Sequence, residues 1–502
     1  LACAFAIAGP ALAAASQHRA WTVMVYMEAD NDIEADTLAS FEEMIAVGGS
    51  DQVNLVVLCD RSAKPESDDS GDYSNGPVAN IANWSGARLF NVHRGKLEQL
   101  ANWGKVNLAK PDTLSRFVTT VAAGFPADRY ALIFSDHGMS WPGSCYNETF
   151  DDQLTMPNMT AGLKGAAAAV PRFELIGFDA CLMAAYEVAR SLAPYAHYLV
   201  GSSEVEPLQG WNFVPTLGAL EKQPSMASGD WAKLIVDQYY QRFTQSNDAD
   251  TKELAAGVTQ SAIDLTQLEP LHAAVERLAQ AELKTLAAGG RTGWAEVARA
   301  RAHSEEFGKE EDASESSEVH DLGHLAFLLS NTAGIDPAIL AAARDVLTAL
   351  HAAVLDNVHG SARADATGLS IYFPRAATDL DGDPKYDDVP GLAGSQWPTL
   401  IRTLAAATAK NAKAGSVTQG AGANKTVDAD HPAKVTATVD PKEIDHATFV
   451  VARSLKDSEV ILATWPSEPD ENGELSEEWD ADWFTLNVGD TSVVCPVTHM
   501  EA

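Results

Sequence analysis

Short apolar runs alternate with amphipathic stretches along most of this chain. Trp21-Thr-Val-Met-Val-Tyr-Met27 and Val53-Asn-Leu-Val-Val-Leu-Cys59 are rich in β-branched and apolar residues and predict buried strands. Between them, Asp30-Asn-Asp32 offers N-caps to a helix through Val47. Ser62–Gly76 is polar and acidic and reads as a loop. Asp112–Ala123 has helical periodicity, and Tyr130-Ala-Leu-Ile-Phe-Ser-Asp-His137-Gly138 is an apolar run ending in a His and a Gly. Pro157–Ala169 reads as a helix, Phe173-Glu-Leu-Ile-Gly-Phe-Asp-Ala-Cys181 as a strand ending in a Cys, Leu182–Leu192 as a helix, and His197–Ser203 as the next strand. Strands alternating with helices predict an α/β fold, a mostly parallel sheet covered on both faces.

The same style continues more sparsely. Helices are predicted over Trp231–Phe243, Glu269–Ala287, Trp294–Ala302, Leu322–Leu329, Pro337–Leu355 and Trp397–Ala406. Gly257–Leu265 and Gly368–Pro374 read as strands, and the charged run Glu305–Glu318 as a solvated loop. Residues 409–432 are rich in Ala, Gly and Lys and read as a linker, followed at 433–502 by alternating segments expected to form a small β domain. Residues 1–15 resemble the remnant of a secretory signal peptide, which predicts a secreted or periplasmic protein. Anchoring through Cys3 as a lipoprotein is the disfavoured reading, because further apolar residues follow that Cys.

Charge narrows the partners. The chain of 502 residues carries 70 Asp and Glu against 35 Lys and Arg, a net charge of −35. That excess argues against nucleic acid or an anionic membrane as partner and suits cationic substrates. No run beyond the leader predicts membrane insertion, and a monomer is expected. Of five cysteines, Cys3 falls in the leader; Cys59 and Cys145 could bridge, although burial of both as free thiols is the simpler expectation.

The two runs ending in His137 and Cys181 carry the chemistry. If they are neighbouring parallel strands, an imidazole and a thiol emerge together at the carboxyl edge of the sheet, where open α/β sheets place ligands. The spacing of 44 residues admits the helix and loops of a right-handed crossover. A thiol beside an imidazole is the minimum machinery for attack on a carbonyl. The amides of Gly138 and Cys181 are the expected oxyanion donors, and a helix beginning at Leu182 would favour the thiolate. Either residue alone is ordinarily structural; the pair is what points to catalysis.

These motifs resemble the clostripain family of cysteine peptidases, relatives of caspases, gingipains and legumain. The likeness runs from Trp21 to Ala406, within a peptidase domain drawn at 20–408, and also rests on Glu28-Ala-Asp-Asn-Asp32, Ser202-Ser-Glu204, Gly210-Trp-Asn212 and Gly368–Pro374. It implies a caspase-like three-layer α/β/α sandwich and endopeptidase activity after a basic residue through a Cys-His dyad and an acyl-enzyme. Cys181 then matches the nucleophile and His137 the general acid/base. Asp179, on the strand face shared with Cys181, becomes the candidate for holding a substrate Arg or Lys, with Glu204, Glu206, Gln209 and Trp211 as further candidates around it. Met139 and Gln209 depart from the pattern of relatives, which leaves a degenerate binding scaffold as the rival reading, and a transpeptidase as another. No cofactor is expected, calcium being the one that the resemblance keeps open, since some relatives depend on it. Asp379-Leu-Asp-Gly-Asp383 has the alternation of a calcium loop but lacks its distal Glu.

Overall fold

The computed structural model describes residues 18–411, apart from 65–67, 69, 75, 289–290, 309–317 and 383, and beyond them the strand backbones at 416–418, 433–438, 447–454, 459–467, 474–479, 485–488 and 491–494. The leader therefore lies outside the described residues.

The strands of the body are β1 (Arg19–Ala29), β2 (Val53–Arg61), β3 (Ala87–His93), β4 (Lys96–Gly104), β5 (Ala127–Ser135), β6 (Gly143–Asn147), β7 (Asp152–Thr155), β8 (Phe173–Asp179), β9 (Ala196–Gly201), β10 (Thr259–Asp264), β11 (Glu306–Phe307), β12 (Val319–Asp321), β13 (Val354–His359) and β14 (Ser370–Tyr372). Nine form one sheet in the order β13-β10-β9-β8-β5-β1-β2-β3-β4. Its centre, β9-β8-β5-β1-β2, is parallel, and antiparallel pairs extend it at both ends.

The central strands are apolar on both faces because helices cover both. Trp21, Val23, Val25 and Met27 of β1 face a layer formed with helices Glu34–Val47, Phe213–Lys222 and Ser228–Thr244. Met24 and Tyr26 face the other layer, with helices Pro111–Gly124 and Met156–Ala166. This strict alternation along a strand with two covered faces explains why the sequence shows continuous apolar runs. Phe134 and Phe178 stack across β5 and β8 with centroids 5.2 Å apart, tying the two strands that carry the candidate chemistry. Among the described residues no helix is long and apolar enough to cross a membrane.

Several expectations are corrected. The hairpin β3–β4 went unpredicted, since its edge strand Lys96–Gly104 is largely polar and exposed. The predicted helix to Leu355 ends at Ala353, and the chain continues as β13. The late apolar run supplies only Ser370–Tyr372 as a strand, and it joins β11 and β12 in a separate small sheet. Within the predicted solvated loop, Glu306 and Phe307 form a buried strand. The predicted linker contains the strand Ser416–Thr418, which pairs antiparallel with Ala433–Thr438. Beyond it, Ala433–Thr438 with Glu474–Trp479, Ala447–Ser454 with Glu459–Ser467, and Thr485–Val488 with Thr491–Val494 are antiparallel pairs. Cys59 and Cys145, by contrast, are free and buried, as the simpler expectation has it.

One buried acid sets a pH dependence. Glu282, on helix Leu268–Ala287, is 1% exposed, and among the described residues neither carboxylate oxygen has a hydrogen-bond partner. Burial alone pushes its pKa from 4.5 up to about 8. The native protein therefore keeps a proton that the unfolded chain releases, and stability is lost as pH rises through that window. Glu282→Gln should stabilise the protein by on the order of 3 kcal/mol at pH 9 relative to its effect at pH 5. Urea unfolding at the two pH values measures the difference; an equal effect at both would show that Glu282 is ionised in the native state.

Candidate active site

The parallel register of β5 and β8 pairs Ser135 with Asp179. The Asp136 amide donates to the Asp179 carbonyl at 3.2 Å, and the chain then carries His137 and Cys181 out of the sheet side by side. Contact between the two loops is tight. A Cβ on Gly138 would lie 2.1 Å from the Cys181 carbonyl oxygen and 3.0 Å from its nitrogen, so this position tolerates only hydrogen. Among the described residues, neither the Gly138 nor the Cys181 amide donates to a backbone acceptor. The hairpin β6–β7 buttresses the histidine loop: Cys145 N and Ser144 Oγ both donate to the His137 carbonyl, at 3.1 and 2.8 Å.

His137 and Cys181 line one cleft of about 390 Å³. His137 Nε2 donates to Asp32 Oδ1 at 2.8 Å. A carboxylate only accepts, so Nε2 carries the hydrogen and Nδ1 is left as the basic nitrogen. Asp32 is held in turn, because Asp72 N donates to its carbonyl at 2.6 Å. The neighbouring Asn31 Nδ2 donates to Asp136 Oδ1 at 2.6 Å. The expectation that Asp30–Asp32 cap the following helix is corrected. The helix starts at Glu34 without a side-chain cap, and the side chains of Asn31 and Asp32 serve the histidine loop instead.

Cys181 is not hydrogen-bonded to His137 in this state. Its Sγ accepts from the Glu206 amide at 3.3 Å. Burial pushes the thiol up to about 12; the charges of Glu206 and Glu204 add to this, and the Glu206 amide opposes it. The expected helix dipole does not contribute. Leu182 has φ of +63°, its amide donates to the Glu204 carbonyl at 3.1 Å, and the helix begins only at Tyr186. The dipole's influence falls off within the first turn, so a helix starting that far along gives the thiol little.

Asp179 lines the same cleft and is 8% exposed. Its Oδ1 accepts from the Trp211 amide at 2.8 Å and its Oδ2 from Ser135 Oγ at 3.2 Å. Burial raises its pKa to about 6, with the Trp211 amide, the Arg242 charge and Ser135 pulling it down. Gly210 makes this approach possible: it has φ of +56°, and a Cβ there would lie 2.6 Å from Asp179 Oδ1.

The other expected binding residues separate. Glu206 lines the cleft. Glu204 does not; its carboxylate accepts from the Val205 and Gly308 amides at 2.8 and 2.7 Å and pairs with Arg363 Nη2 at 2.5 Å. Trp211 is a core residue beneath the cleft, its ring so close to Gly177 that a Cβ there would lie 2.5 Å from Cη2. Gln209 is half-buried and sits between Leu208 and Gly210, which line the cleft where it does not. As for metals, among the described residues only Glu306, Glu318 and His320 gather three candidate ligand atoms, and Arg301 already pairs with Glu318 at 3.1 Å. The Asp379–Asp383 run lies partly outside the described residues, and its Asp381 faces Arg402 at 3.6 Å.

The sequence profile of the clostripain family matches residues 25–359. Clostripain of Hathewaya histolytica is 29% identical over 208 residues, which span 37% of this chain and 39% of that relative. A secreted C11 cysteine protease from Bacteroides thetaiotaomicron, solved with an irreversible peptide inhibitor, superposes with a TM-score of 0.53 at 21% identity, covering 76% of this chain and 99% of its own. An inactive zymogen C11 protease from Parabacteroides distasonis superposes with a TM-score of 0.53 at 17% identity, covering 77% and 99%. These structures share the caspase-like sandwich described above. By its profile match over residues 25–359, which takes in the strands that end at His137 and Cys181 and both loops of the cleft, the chain belongs to the clostripain family.

Proposed function

We propose that this protein is a secreted cysteine endopeptidase that cleaves peptide bonds after Arg or Lys. The observation that carries this reading is the cleft itself: a thiol, an imidazole and a buried carboxylate from adjacent strand ends open into one space. A substrate's basic side chain enters toward Asp179, and a guanidinium suits a fixed carboxylate well. Val205 and Leu208, 49% and 56% exposed, give the rim an apolar surface for the peptide chain.

His137 Nδ1 takes the Cys181 proton, and Asp32 steadies the resulting imidazolium. The thiolate attacks the scissile carbonyl carbon, and the tetrahedral oxyanion is held by the Gly138 and Cys181 amides. His137 returns the proton to the leaving amine. Water, deprotonated by the same imidazole, then releases the acyl group and restores the thiol. No cofactor is needed for these steps. The strands beyond residue 433 are taken as a small appended β domain. A second reading, a binding scaffold without catalysis, draws on the resting thiol, which is bonded to the Glu206 amide rather than to His137.

Cys181→Ala should lower kcat/KM for an arginyl fluorogenic peptide by about four orders of magnitude while leaving the circular dichroism spectrum unchanged. Residual cleavage close to that of the native protein would favour the scaffold reading. A second test concerns Asp179, whose carboxyl titrates at about 6. The charged form binds the substrate cation, so kcat/KM should climb with pH through that value. Asp179→Asn should flatten this limb and lower kcat/KM for arginyl substrates by about a hundredfold. A pH profile shared by both proteins would exclude Asp179 from substrate binding.

A further inference from the structure

The cleft holds a second acid whose environment differs from that of Asp179. Glu206 is 8% exposed, and its amide donates to Cys181 Sγ, which fixes the residue beside the nucleophile. Its Oε1 accepts from Gln260 Nε2 at 3.1 Å, while Oε2 has no hydrogen-bond partner among the described residues. Asp179 has both oxygens satisfied, by the Trp211 amide and Ser135 Oγ. Of the two carboxyls, Asp179 is therefore built to carry charge and Glu206 to carry a proton.

The surroundings agree. Trp211 Nε1 and the Tyr239 hydroxyl border this region and have no hydrogen-bond partner; the Trp211 indole is near enough to Glu206 to favour its charge but outside hydrogen-bonding geometry. Arg242, whose charge lowers the Asp179 pKa, is engaged with Glu43 at 2.8 Å and with the Trp211 carbonyl at 2.9 Å. Glu204 is turned to Arg363, and Asp36, also lining the cleft, is pushed up first by its burial and then by the Asp72 charge. Among the described residues, none of these supplies Glu206 with a counter-cation. Burial pushes its pKa well above the ordinary carboxylate range, and the Asp179 charge adds to that.

We infer that Glu206 is a second specificity-determining acid of the cleft: in the empty protein it and Asp179 share one proton, and the guanidinium or ammonium of the substrate displaces that proton. This rests on the basic-substrate reading proposed above. The exchange balances, because one proton passes to solvent as one fixed cation enters and the net charge of the pocket is unchanged. Both carboxylates then face the bound cation, and an uncharged side chain of equal length gains neither.

Isothermal titration of the Cys181→Ala protein with an uncleaved arginyl peptide tests this in two buffers of different ionisation enthalpy. At pH 7.5, above the range in which Asp179 titrates near 6, binding should release about half a proton or more. The norleucine analogue should release none. Adding Glu206→Gln should abolish the release and weaken arginyl binding by about tenfold, leaving norleucine binding unchanged. Release absent in Cys181→Ala, or unchanged in the double variant, overturns the role of Glu206 while the Asp179 pocket stands. An arginyl peptide bound no tighter than norleucine overturns both. Should Glu206→Gln fail to fold, the buffer dependence of the single variant decides.

Discussion

The pairing of Ser135 with Asp179 across two parallel strands is the constraint on which everything else rests. Parallel neighbours run in step, so residues equally far past the last pair leave the sheet together. His137 and Cys181 are each two residues past it. The stacked rings of Phe134 and Phe178 and the close approach of Gly138 to the Cys181 backbone hold that register to the sheet edge. A slip of one residue would turn one of the two side chains toward a helix layer, and the cleft would lose half its chemistry.

The cleft is built around a conflict. Burial and nearby carboxylates suit a pocket for a basic side chain, yet the same features oppose ionisation of the thiol. In the resting structure the conflict is resolved in favour of the pocket: the sulfur rests on the Glu206 amide and the imidazole turns to Asp32. In the proposed mechanism the substrate's cation replaces the proton held between Asp179 and Glu206 and leaves the pocket's net charge unchanged, so it is His137, by taking the thiol proton, that drives the ionisation burial opposes.

The parts of this arrangement that were legible in the sequence are those governed by burial. Strands covered on both faces show as unbroken apolar runs, so β1, β2, β5, β8 and β9 were found, and the spacing between His137 and Cys181 fitted a crossover. Elements exposed on one side, such as Lys96–Gly104, lacked that signal, and β13 was hidden as the continuation of a helical run. Irregular chain was harder still. Asp32 looked like a helix cap because Asp and Asn before a helix ordinarily are, and only tertiary contact reveals that it holds His137. Glu204 and Glu206 are two residues apart, yet one pairs with Arg363 and the other lines the cleft. The chain between them is not a strand, so alternation could not sort them.

The most direct measurement is peptide mapping after reaction with an arginyl acyloxymethyl ketone, which needs a thiolate, a neighbouring imidazole and a fitting pocket at once. The account predicts a single adduct, on Cys181, and no adduct when His137 is replaced by Ala. Modification of a different residue, or an intact protein that stays unlabelled, would contradict it.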